Sequence, residues 1–170
     1  QIPTHIGITL VTAHETIENL AKSRTIGRRE KEPYEFNLRN LLRLSSRISN
    51  DLPQGQKIEN LEDILPLLAQ HFNQVYLDVI RDDSERKIVF TAVDLTLGFT
   101  QHNITYASLR ENKIKSLKEI DIASIKGVGT EDIPDESSIL TPVPTTLNYL
   151  DKITTSLKNK EHLLLVGPTA

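Results

Sequence analysis

Pro33-Tyr34-Glu35-Phe36-Asn37-Leu38-Arg39-Asn40-Leu41-Leu42-Arg43 is the stretch on which the reading of this chain turns. Asn37 is a good helix N-cap, because its short side chain can accept from the unpaired N–H groups of a first turn. The helix that follows places Leu38, Leu41, Leu42 and Ile48 on an inward face. Arg39, Arg43 and Arg47 stand four residues apart and so share the other face. From Lys22 to Arg47 there are eight basic residues against three acidic ones, in a chain whose formal net charge is −3. A guanidinium suits phosphate, since its planar fork donates two bonds to one anion and stays charged. A merely solvated helix face would show the same row. A nucleic-acid surface fits less well, because no aromatic residues interleave with the basic ones for base stacking.

Outward from this helix the chain is read as a bundle. Ile6, Leu10, Ala13, Ile17 and Leu20 make one stripe of a preceding helix over about residues 4–23, with Thr4 as its cap and Gly27 and Pro33 breaking the pattern behind it. Asn60 opens a third helix that buries Leu61, Ile64, Leu65, Leu68, Phe72 and Val75, with Pro66 tolerated early. Asp82-Asp83-Ser84 starts a fourth, which ends at Gly98. Four amphipathic helices make a small helical bundle, so the fold class is mainly α.

After Gly98 the texture changes. Ile104, Tyr106 and Leu109, then Ile114 and Leu117, alternate with polar residues and predict a β-hairpin. Glu131 to Ser138 carries four carboxylates and no basic residue, as an exposed linker would. Thr141-Pro142 introduces a last helix with Leu147, Leu150, Ile153 and Leu157 inward, and Leu163 to Val166 reads as a buried parallel strand. The expected organisation is a helical domain over 1–98, a hairpin connector and acidic linker over 99–140, and the start of a further domain over 141–170. An apolar strand ending at Gly167, with no partner strands after it, suggests a piece of a longer chain.

Composition narrows the chemistry. The chain has 170 residues, 38% of them apolar and 5% aromatic, with no Cys, Met or Trp. The core is therefore aliphatic, and thiolate metal sites, disulfides and cysteine nucleophiles are excluded. No apolar run approaches the roughly 18–20 residues of a membrane helix. His5, His14, His71, His102 and His162 are scattered, with none at metal-ligand spacing. Gly167-Pro168-Thr169-Ala170 after an apolar strand looks like the first half of a P-loop, whose glycine turn aims backbone N–H groups at phosphates, although an ordinary Gly-Pro turn reads the same way.

The quoted stretch, preceded by a helix and Gly27-Arg28-Arg29, resembles the small-domain motif of the midasin family of dynein-related AAA+ ATPases, an aromatic-Glu-Phe-Asn-Leu-Arg-Asp signature. Val75-Tyr76-Leu77 through Arg81 to Glu85-Arg86 resembles that family's Tyr-Leu…Arg…Asp-Arg segment. Ile139 to Thr169 is similar to the approach to the next module's P-loop. Asn40 stands where the signature has Asp, Glu85 where it has the second Asp, and Tyr34 where it has Trp.

The resemblance implies an AAA+ small (lid) domain followed by the start of the next module's large domain. It implies ATP and Mg²⁺ as ligands of the full-length parent, with none expected on this piece, and no hydrolysis by the piece alone. Arg39 would act as a sensor-2-like arginine at the γ-phosphate, and Gly167, Pro168, Thr169 and Ala170 would begin the next nucleotide site. The implied partners are neighbouring AAA+ modules of the same chain and the pre-60S ribosomal particle with its assembly factors, in the nucleolus and nucleoplasm, with neither membrane nor direct nucleic-acid contact. Other AAA+ machines of the dynein or MoxR type, and a non-enzymatic helical domain with a basic docking face, are the alternatives.

Overall fold

The computed structural model describes residues 2–111 and 143–166. Six α-helices are present among them: α1 (Thr4–Lys22), α2 (Leu38–Asp51), α3 (Leu65–Phe72), α4 (Asp83–Leu97), α5 (Tyr106–Arg110) and α6 (Pro144–Lys158). The chain divides into two units, 1–111 and 112–170. No strand occurs among the described residues.

The first unit holds α1 to α5. Ile6, Leu10, Ala13, Ile17 and Ala21 of α1 are buried at three- and four-residue steps, and Val89, Phe90, Val93 and Leu97 of α4 meet them in the core. Leu20 is only half-buried, and Thr4 is the first helical residue rather than the cap, since Pro3 precedes the helix with no side-chain cap. Asp82 caps α4 by accepting from the N–H groups of Ser84 and Glu85, and Gly98 ends it in the left-handed conformation at φ 66°. Both ends of α4 fall where the sequence places them.

The third helix is three pieces. A 3₁₀ turn, Leu61–Ile64, leads into α3, and a π-turn, Asn73–Leu77, follows it. The N–H of Asp78 reaches the carbonyl of Asn73, five residues back, at 2.9 Å. Val75, Tyr76 and Leu77 are all buried there.

The expected hairpin is corrected. Residues 100–102 form a 3₁₀ turn and 106–110 form α5, with Thr105 and Ser108 closing a capping box. Tyr106 and Leu109, three apart, pack on the core from one helical face, so their spacing is that of a helix and not of an alternating strand. Ile114, Leu117 and the acidic segment 131–138 lie outside the described residues.

In the second unit α6 buries Leu147, Thr154 and Ser156, while Leu157 is exposed against expectation. Leu163 to Val166 is not a strand. It has no regular structure, and Leu164 and Val166 are each 86% exposed. A strand exists only with a neighbour to receive its N–H and C=O groups, and none is present among the described residues.

Candidate functional site

The start of α2 is built by the quoted stretch. Asn37 accepts from the N–H of Arg39 at 3.0 Å, and the Asn40 side chain accepts from the N–H of Asn37 at 3.0 Å, a reciprocal capping box. Phe36 is buried against Tyr76, with ring centroids 5.7 Å apart. Tyr34 packs on Gly27 and accepts from the N–H of Arg81 at 3.0 Å. Most of the stretch is thereby committed to the fold. Glu35 and Arg39 are exposed, and among the described residues neither side chain is engaged by a hydrogen bond or ion pair. No acidic residue occupies the first turn of α2. Beside this helix start lies a recess of about 430 Å³, lined by residues that include Lys22, Arg24, Tyr34, Glu35 and Asn37.

The arginine row does not stay on one face. At about 100° per residue, each step of four advances the row by about 40° around the helix. Arg39 is exposed, Arg43 is half-buried and Arg47 is only 5% exposed, with its guanidinium donating to Oε1 of Gln74 at 2.8 Å. The inward face is Leu41, Leu44 and Ile48. Leu38 and Leu42, expected inside, are 63% and 60% exposed, and Leu42 lines an open groove of about 850 Å³ with Ile8 and Val11 of α1. A true stripe steps by three and four alternately, and 38–42 belongs to the neighbouring stripe.

The basic loop after α1 is turned inward as well. The Arg24 guanidinium donates to the carbonyls of Gly27, Glu30 and Lys31, wrapping its own loop. The N–H of Arg28 donates to Glu85, Arg29 lies 3.9 Å from Asp82, and Glu30 pairs with Arg81 at 3.2 Å. Asp82 at the start of α4 is thus a counter-charge for Arg29, while Arg24 and Arg28 turn their guanidinium groups onto carbonyls of the loop itself.

Tyr76 and Arg86 of the second motif segment are held by the fold. Tyr76 is buried with its hydroxyl 2.8 Å from Nδ1 of His14, and burial raises its phenol far above the ordinary value. The same burial holds the His14 imidazole below its ordinary 6.5, outweighing the opposing charges of Glu18 and Glu15. Nε of Arg86 donates to the carbonyls of Leu77 and Ile80 at 3.1 and 2.6 Å. The other buried histidine, His71, lies 2.9 Å from Asp51.

A motif whose aromatic, asparagine and distal arginine residues all serve packing or capping marks a domain type. The midasin AAA lid domain family matches residues 1–100. The chain belongs to that family. No curated protein and no solved structure is significantly similar to the chain.

Within this AAA lid, Arg39 is the one sequence-derived site residue that falls among the described residues. Arg39 is presented at the start of α2, whereas Gly167, Pro168, Thr169 and Ala170 lie outside the described residues. No group of three His, Cys, Asp or Glu side chains converges among the described residues. No described helix is long and apolar enough to cross a membrane. Sequence reasoning missed the anchoring role of Arg47, whose signal was the slow rotation of an i, i+4 row.

Proposed function

We propose that the chain is the lid of one module of a midasin-like AAA+ ATPase, followed by the start of the next module, and that Arg39 is the lid's contact with the γ-phosphate of ATP. One observation carries this reading: in a signature largely given to capping and packing, Arg39 is exposed and unengaged in the first turn of a helix, a turn that holds no acid. Partial positive charge on the first N–H groups of α2 and the fixed charge of Arg39 favour an anion at the same place. The arginine would stabilise charge developing on the transferred phosphoryl group and report its loss to the lid. Residues 141–170 would begin the next module with helix α6, and Gly167 to Ala170 would enter its P-loop. Mg²⁺ would screen the phosphates, held by groups other than those of this lid.

The proposal extends to the parent's biology. The parent would use ATP in a ring of such modules to release assembly factors from pre-60S ribosomal particles in the nucleus. The decisive test is ATP turnover by the full-length protein. Losing a charge-assisted bond to phosphate costs about 1.5–3 kcal/mol, so Arg39→Ala should slow the module roughly ten- to a hundredfold. Arg43→Ala, about 6 Å further along the helix, should matter less. Equal losses from both would show a docking face, and no loss from Arg39→Ala would refute the phosphate contact.

A further inference from the structure

The family match ends at residue 100, but the packing does not. Residues 99–111 fold back over the bundle as a strap. At one end Phe99 stacks on Phe90, and Tyr106 meets Phe90 edge-on and donates to Asp83. At the other end Arg110 closes onto the π-turn, a single guanidinium nitrogen reaching Oδ1 of both Asn73 and Asp78. Those two residues are five apart, which in an α-helix would point them about 140° away from each other. The widened turn is what lets one nitrogen serve both. Gln74, the residue after Asn73 in the same turn, accepts from Arg47 of α2. Two arginines from elements far apart in sequence therefore grip one irregular turn.

We propose that this π-turn is a conformational junction linking α2 to the strap through which the chain leaves the first unit at Glu111. A displacement of α2 is passed by Arg47 to Gln74. Relaxation of the turn toward α geometry parts Asn73 from Asp78 and releases Arg110. π-turns recur at functional positions, and a coupling claim needs an element with two arrangements, here the π-turn and its α-helical alternative. That the displacement begins with phosphate at Arg39 rests on the function proposed above. The junction itself does not.

Two arms of one experiment separate them. In the 170-residue chain, amide hydrogen exchange is followed in Arg47→Met, which keeps the buried stem, in Arg110→Met and in the double variant. Exchange over 104–111 should quicken roughly fivefold relative to the amides of α1 and α4 in either single variant, and no further in the double. Arg47→Lys serves in place of the methionine variant if that one does not fold, with a smaller change in the same place. If the Arg47 variant leaves 104–111 unchanged, or quickens all amides of the first unit equally, the junction is refuted.

In the full-length protein, a non-hydrolysable ATP analogue should alter exchange over 104–111. Arg47→Met should bind the analogue equally well yet lose that response; retention of the response would overturn the proposal. If Arg39→Ala leaves the analogue's affinity unchanged, the phosphate reading fails instead, and the first arm still decides the junction.

Discussion

Replacing Arg86 by methionine tests whether the second motif segment is structural. Arg86 Nε bridges two carbonyls, those of Leu77 and Ile80, both on residues with no exposed surface. The Leu77 carbonyl keeps a second donor, the N–H of Ile80 at 3.1 Å, whereas the Ile80 carbonyl loses its 2.6 Å bond. A bond from a charged donor contributes about 1.5–3 kcal/mol, and an orphaned buried acceptor costs about 1–3 kcal/mol. The two descriptions overlap, so the expected loss is about 2–3 kcal/mol, a large share of the roughly 5–15 kcal/mol by which domains are stable. At about 4 °C per kcal/mol for a unit of this size, Tm should fall by about 8–12 °C. Far-UV circular dichroism of the melting chain reads this directly. Arg81→Met is the control, because Arg81 pairs with Glu30 at the surface, and exposed pairs contribute about 0–1 kcal/mol. If Arg86→Met melts within about 2 °C of the unaltered chain, or if Arg81→Met costs as much, the carbonyl-bridging argument is wrong.

Other outcomes are equally checkable. Gly27→Ala should cost about 1–2 kcal/mol in urea unfolding, because φ is +74° there and a Cβ would sit 3.0 Å from the Tyr34 ring. His14 has its folded pKa below 6.5, so the unfolded chain binds the extra proton as pH falls; stability should be whole above about 6.5 and decline below it. His14→Gln should flatten that part of the pH profile, and an unchanged profile would remove His14 from the account. Arg39→Ala should leave the free energy of urea unfolding of the 170-residue chain unchanged within about 0.5 kcal/mol, since its side chain is exposed. Amide protons of residues 163–166, exposed and without regular structure, should exchange faster than those of α1 in the same sample.

Much of this fold could be read from punctuation. Asp82 and Gly98 delimit α4 because an N-cap and a left-handed C-cap are local chemistry, and Asn37 opens α2 for the same reason. What depended on tertiary partners could not be read so. Nothing local separates Leu38 and Leu42, which are exposed, from Leu41 and Leu44, which face the core; only the packed neighbours decide. The π-turn has no sequence signature of its own, and without it the burial of Arg47 is invisible. The strap was legible in part: Thr105 and Ser108 are spaced for a capping box, and Tyr106 and Leu109 for one helical face. As for the site, the sequence singled out Arg39 but credited the whole basic stretch with availability, whereas Arg24, Arg28 and Arg29 face the chain's own carbonyls and acids.

The asparagine-for-aspartate difference at position 40 changes a charge without changing a hydrogen bond. Asn40 Oδ1 accepts from the Asn37 N–H as an aspartate oxygen would, so the cap geometry survives the exchange. What is missing is a carboxylate beside Arg39. Opposite charges about 4 Å apart in water attract by roughly 1 kcal/mol, which is the competition an incoming anion is spared at this helix start. Asn40→Asp would therefore act as a rheostat on anion occupancy, weakest at high salt, where both the attraction and the competition are screened.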